Sequence, residues 1–292
     1  MKWQALLENE KQRSALIEFT KQLPHDLHFK GNCQNIVVFS APKSASSFIT
    51  NTLHALFAYE RVHLANADKT DLDHRLDAAR IMNYKIQNIS TLSQHHTIAS
   101  SITHNILKRF DLIPIITSRG IAASLLSYRD MLNEQKGDPQ FKVERKGFQF
   151  KKTDCFNDYK SDYFISRYYR LPPSEQLDML IDQYANWYFQ FWLSWKRLEA
   201  HRYPLVWIHY TDLVHDPIAE IRKVINFTTK NNNIFSDSQI TDAISTAQRA
   251  PSSMVSQTGS LRSIDNFSVQ QVERLIKIGC YHDKRKKILS LL

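Results

Sequence analysis

Asn35-Ile36-Val37-Val38-Phe39-Ser40 runs directly into Ala41-Pro42-Lys43-Ser44-Ala45-Ser46-Ser47. The first six residues form a short β-branched run, which predicts a strand buried on both faces. A helix then starts near Ser46 or Ser47. Its apolar residues Ile49, Leu53, Leu56 and Phe57 follow at i, i+4, i+7 and i+8, one helical face. The stretch reads as strand, tight loop, helix.

The same unit recurs. Leu112–Ser118 (L-I-P-I-I-T-S) predicts a second strand. Arg119-Gly120 follows, then a helix with Ile121, Leu125, Tyr128 and Leu132 on one stripe. Pro204–His209 predicts a third strand. After Tyr210-Thr211-Asp212-Leu213 comes a helix from about Pro217, a suitable first-turn proline. Strands followed by helices three times over predict a three-layer α/β/α architecture with a central parallel sheet. A strand at about Thr97–Thr103 is expected to join it. Residues 2–22 have the spacing of an amphipathic surface helix. Residues 174–201 predict a long helix rich in Trp187, Tyr188, Phe189, Phe191, Trp192 and Trp195, read as core packing rather than an aromatic ligand box. Residues 133–170 keep no steady period. They are polar, aromatic and basic, Lys and Arg outnumbering Asp and Glu. Such a stretch suits a lid or binding loop. The 292 residues are read as a single domain, with 133–170 inserted in it.

Composition narrows the function. Hydrophobic residues are 42% and charged residues 23%, an ordinary globular balance that excludes disordered, collagen-like and coiled-coil classes. No apolar run approaches the roughly 20 residues that span a bilayer, and the first thirty residues are too charged for a secretory signal. The net charge of +9 suggests an anionic partner, with plain solubility as the alternative. Cys33, Cys155 and Cys280 form neither a metal spacing nor an even disulfide set, which points to a reducing, cytoplasmic setting.

The loop after the first strand carries the chemistry. First-turn amides of a helix lack internal partners and attract anions. Lys43 adds a point charge, and Ser44, Ser46 and Ser47 add hydroxyl donors, so the loop suits a phosphate. It is not the G-x-x-x-x-G-K-[ST] nucleotide loop, since both glycines are missing and the lysine comes first. The other reading is an ordinary strand–helix connection with a capping serine. Arg119 ends the second strand, placed for a bidentate grip on phosphate, and Ser127 follows eight residues later on the next helix. A surface ion pair and a helical serine are the bland alternative.

These motifs together resemble the sulfotransferases that use 3′-phosphoadenosine-5′-phosphosulfate (PAPS). Pro42-Lys43-Ser44-Ala45-Ser46-Ser47-Phe48 is similar to that family's 5′-phosphosulfate loop, P-K-S-G-T-T-W. Arg119 and Ser127 match the spacing of its 3′-phosphate motif. I-H-Y-T-D-L-V-H-D-P resembles its Y-E-D-L-x-x-D-P segment and places Tyr210 near the adenine. Thr258-Gly259-Ser260-Leu261-Arg262 is similar to the late glycine-basic loop over the 3′-phosphate, and Ile102-Thr103-His104-Asn105-Ile106 to the stretch with a catalytic histidine. The resemblance covers residues 34 to 280. It implies a P-loop nucleotide-hydrolase-like sulfotransferase fold, PAPS as cosubstrate and no metal. Departures are Ala45 for glycine, Phe48 for tryptophan, Gly120-Ile121 for Asn-Pro, and Gln257-Thr258 where basic residues are common. Arg262 or Arg249 would then complete the 3′-phosphate grip.

On this reading an acceptor hydroxyl, or less readily an amine, attacks sulfur in line. Adenosine 3′,5′-bisphosphate (PAP) leaves. Lys43 neutralises the leaving phosphate, Ser44 holds the lysine or donates to the sulfuryl oxygens, and His104 takes the acceptor's proton, with Glu60 as the carboxylate alternative. The acceptor is expected to be a small molecule or a glycan, with 133–170 beside it. Two other classes stay open. A Mg²⁺-dependent nucleotide kinase would need a strand-end carboxylate, for which Asp212 is the contender. A polyanion- or nucleic-acid-binding protein would suit the charge, although no recognised nucleic-acid module is present. A sulfotransferase-like chain without catalysis is a further alternative, raised by Ala45 and Gln257-Thr258.

Overall fold

The computed structural model describes residues 33–65, 74–135, 167–230, 232, 234–250, 264–283 and 290–292. The expected helix at 2–22, most of the 133–170 segment, and Gly259 and Arg262 lie outside the described residues.

Strand β1 (Asn35–Ser40) is buried at every position, as its unbroken apolar run requires. It lies at the centre of a five-stranded, all-parallel sheet together with β2 (Glu60–Arg61), β3 (Thr91–His95), β4 (Leu112–Ser118) and β5 (Val206–His209), in the order β2-β3-β1-β4-β5. β1 and β4 pair from Asn35 opposite Leu112 to Ser40 opposite Thr117. Pro114 is tolerated in β4 because β5 pairs only from Ile115 onward, which leaves the proline at a locally open edge.

The helices are α1 (Ser46–Phe57), α2 (Ala78–Ile86), α3 (Ser101–Arg109), α4 (Ile121–Gln135), α5 (Pro173–Leu180), α6 (Asn186–Ala200), α7 (Tyr210–His215), α8 (Pro217–Thr228), α9 (Asp237–Arg249) and α10 (Val269–His282). A π-helical turn, Ile181–Ala185, joins α5 to α6, so the expected long aromatic helix is continuous but wound loosely in its middle. Alternate residues of β1 feed two separate cores, following the two-residue period of a strand. Val37 and Phe39 pack with Leu107, Leu125, Phe189 and Trp195. Ile36 and Val38 pack with Ile49, Leu53, Val224 and Ile244. These two cores make the three layers. Local signals set the helix starts: Asp216 caps α8 ahead of Pro217, and Ser236 and Ser268 each form a capping box with a glutamine.

One expected strand is corrected. Residues 97–103 are not a strand; the third parallel strand is β3, at Thr91–His95. Ser100 caps α3 by accepting the Thr103 amide, which commits the later residues to a helix. The polar T-L-S-Q-H composition of β3 hides it from a hydrophobic pattern, although four of its five residues are buried. Among the described residues, no helix is long and apolar enough to cross a membrane.

Candidate active site

Chain direction across the sheet reverses beside β1. β2 and β3 lie on one side of it, β4 and β5 on the other, and α1 and α4 leave toward opposite faces. The carboxyl ends of β1 and β4 therefore splay apart, the usual place for a ligand crevice in such a sheet.

The loop Ala41–Ala45 sits at that point. Lys43 and Ala45 have φ of 64° and 65°, while Ser44 between them has negative φ. Alternating handedness turns successive amides toward one side and makes an anion-sized concavity. Ala45 holds a glycine-like conformation despite its Cβ. Its lack of a capping side chain leaves the first turn of α1 without a side-chain acceptor. Ser44 is buried: its hydroxyl donates to the Ala41 carbonyl and shares a 2.7 Å hydrogen bond with Thr117 Oγ1. It thus ties the loop to β4 instead of facing a ligand. Ser46 Oγ accepts from Gln94 Nε2 at 2.8 Å. Ser47 is half-exposed on the first turn. Phe48 is buried in the core between α1 and the sheet.

Arg119 reaches back to this loop. Its Nη1 donates to the Lys43 carbonyl at 3.3 Å, and its guanidinium lies 3.9 Å from the centre of the Tyr210 ring. Arg119, between β4 and α4, and Tyr210, the first residue of α7, are thus brought against the backbone of Lys43. Just behind Arg119 and Tyr210, Ser118 Oγ and His209 Nδ1 hydrogen-bond at 2.7 Å across register partners of β4 and β5. Burial, the largest cause, pulls the His209 pKa down. Ser127 is buried two turns into α4. Arg249, at the exposed end of α9, donates to Ser245 of its own helix. Asp212 is exposed on α7.

The structure does not bring His104 to this crevice. It lies on α3, edge-on to Tyr203 at 5.1 Å, with Lys108 and His201 as neighbours. Tyr203 precedes β5 and feels Asp111, which precedes β4, so His104 stands at the amino ends of the strands. A seven-residue strand separates that end from Arg119 by about 20 Å. Glu60 is also displaced: it is exposed on the edge strand, opposite the first residue of β3.

A histidine that does lie at the crevice is His96, directly after β3. Its Nδ1 lies 2.8 Å from the Ser40 carbonyl at the end of β1. A carbonyl only accepts, so Nδ1 carries the proton and Nε2 the lone pair. Sequence reasoning missed it because β3 went unrecognised; the signal was the His95-His96 pair at the end of a run whose polar residues are buried. It also missed α6 as a positioning element. Tyr188, fully buried, donates to the Pro42 carbonyl at 2.9 Å, and burial pushes its hydroxyl pKa well up, keeping it a donor. Trp195 Nε1 donates to the Thr97 carbonyl at 3.0 Å, and Ser194 Oγ accepts the Ala99 amide at 2.9 Å. The aromatic helix is core, as expected, yet its polar tips fix the loops after both β1 and β3.

A loop of this shape at a parallel-sheet switch point is a common place for an anion to bind. No protein-family model matches the sequence, and no curated protein sequence matches it. Among solved structures, the chain is similar to mouse sulfotransferase SULT7A1 complexed with PAP, at a TM-score of 0.55 and 13% identity, with 88% of each chain covered. The chain has the sulfotransferase fold.

Proposed function

We propose that the chain is a PAPS-dependent sulfotransferase, acting as one domain on a hydroxyl of a small-molecule or glycan acceptor. The observation that carries this reading is the convergence of Lys43, Arg119 and Tyr210 on the open first turn of α1. Amides of the 43–47 loop and the Lys43 ammonium would hold the 5′-phosphosulfate. Arg119 and Ser127 would take the 3′-phosphate, and the Tyr210 ring would meet the adenine. Gly259 and Arg262 would close over the same phosphate, and residues 133–170 would border the acceptor.

His96 replaces His104 as the base. The acceptor hydroxyl gives its proton to Nε2 while its oxygen attacks sulfur. The bond from sulfur to the 5′-phosphate oxygen breaks in line, and PAP leaves with its new negative charge opposite Lys43. The Ser40 carbonyl holds the imidazole in the tautomer this step requires and stabilises the imidazolium that forms. The free thiols of Cys33 and Cys280 suit work in a reducing cytoplasm.

Calorimetric titration with PAP tests this, with adenosine 5′-monophosphate and ATP plus Mg²⁺ as controls. Preference for PAP, lost in Lys43→Ala and Arg119→Ala, is the expected result. Tighter binding of ATP with Mg²⁺ would favour a kinase and sink the sulfotransferase reading.

A further inference from the structure

The strand ends that carry Arg119 and Tyr210 are joined to each other. Ser118 is the last residue of β4 and immediately precedes Arg119; His209 is the last residue of β5 and immediately precedes Tyr210. The two are register partners, and their side chains meet in the 2.7 Å hydrogen bond between Ser118 Oγ and His209 Nδ1. One residue further along both segments, the Arg119 guanidinium lies over the Tyr210 ring. The bond and the stack are consecutive rungs between the same two stretches of chain.

The local structure asks for a different use of His209. It is the N-cap of α7, in an extended conformation, where a side chain normally accepts a first-turn amide. Among the described residues its side chain makes no capping hydrogen bond and is spent on Ser118 instead. β5 also needs the tie. It has four residues and lies at the edge of the described sheet, paired to β4. The ends of such elements open most easily, and this end delivers Tyr210.

The imidazole is itself held. Side chains two apart on a strand share a face, and the His209 ring stacks on Trp207, 7° from parallel with centroids 5.8 Å apart. Lys196 of α6 lies over the Trp207 ring, its Nζ 4.5 Å from the centre. Ser118 is buried and His209 half-buried, so breaking their bond strands a polar group. Contacts thus run from α6 through Trp207, His209 and Ser118 to the segment that holds the guanidinium. A guanidinium held flat against a ring keeps its fork of N–H donors in one plane, which a two-point grip on phosphate requires.

We propose that Ser118 and His209 are positioning residues: they clamp the two strand ends so that Arg119 stands ready against Tyr210, and thereby set the preference for a nucleotide that carries a 3′-phosphate over one that does not. The assignment of that phosphate to Arg119 rests on the sulfotransferase reading; the clamp on the guanidinium does not.

The test has two arms. In the first, the nucleotide-free chain carries isotope-labelled arginine, and the Arg119 side-chain signal is the one that Arg119→Lys removes from the NMR spectrum. The Tyr210 ring should shift its protons upfield, and Tyr210→Leu should abolish the shift. Ser118→Ala and His209→Phe should abolish it too, whereas His209→Asn, whose amide reaches the place of Nδ1, should keep it. In the second arm PAP and adenosine 5′-monophosphate are titrated by calorimetry. Ser118→Ala and His209→Phe should each lower the ratio of PAP to monophosphate affinity about tenfold, the double variant no further, and His209→Asn less than about threefold. A merely structural bond would weaken both nucleotides alike or neither. An unmoved Arg119 signal overturns the clamp; if one variant does not fold, the other decides it together with His209→Asn. An unchanged ratio, or additive losses in the double variant, overturns the selection of the 3′-phosphate. If the unmodified chain does not prefer PAP, the sulfotransferase reading fails instead, and the Arg119 signal still decides the clamp.

Discussion

Over β1, β4 and β5 the crevice is built from fixed charge and backbone donors: Lys43, Arg119 and the open first turn of α1. Over β2 and β3 it is built from imidazole rings packed within 6 Å of one another. The first half is cationic and lined by backbone donors, a surface complementary to an anion. In the second half burial holds the pKa values of His63 and His95 down, His63 to about 4. One strand, β1, separates the two.

The comparison breaks first at the base. His96→Ala should lower kcat by about 10²–10⁴-fold, whereas His104→Ala, at the opposite end of the sheet, should stay within about twofold. Steady-state sulfuryl transfer from PAPS measures both, and equal losses would erase the distinction between the two ends. Arg119→Ala should weaken PAP by about 10–100-fold through lost charge-assisted hydrogen bonds, read by calorimetry. Tyr188→Phe strands the buried Pro42 carbonyl and should cost about 1–3 kcal/mol in urea unfolding.

Acid sharpens the contrast. His63 titrates at about 4 in the fold against about 6.5 unfolded, so the unfolded chain binds more protons between those values. Stability should be flat above about pH 7 and fall as pH drops from about 6.5 toward about 4. The loss is about 1 kcal/mol after discounting for solvent around a half-exposed ring, and His63→Gln should remove part of it. The smallest effect is expected on the fixed half. Ala45→Gly relieves the left-handed conformation of a residue with a Cβ but frees the unfolded chain, for a net gain of about 0.5 kcal/mol in thermal unfolding.

The same division governs what could be read in advance. β1 and β4 were legible because each holds a continuous apolar stretch, Ile36–Phe39 and Leu112–Ile116, that is almost wholly buried, and Arg119 and Tyr210 followed from where those strands and β5 end. β3 was not legible, because Ser93 and His95 are polar and buried and Gln94 reaches out to Ser46. A strand that breaks the hydrophobic rule while staying buried is doing so for its polar contacts. His104 looked right as a motif, yet in the first turn of α3 it packs on Tyr203, away from Arg119. Ser44 looked like a ligand donor, but only three-dimensional packing reveals Thr117 beneath it.

Helix α6 touches both halves, with Tyr188 on the Pro42 carbonyl and with Ser194 and Trp195 on Ala99 and Thr97. Neither loop can swing out without stripping a buried partner from the same helix. The two loops and α6 therefore open as one cooperative unit, and the amides of 41–47 and 96–99 should share a single opening free energy in native-state hydrogen exchange.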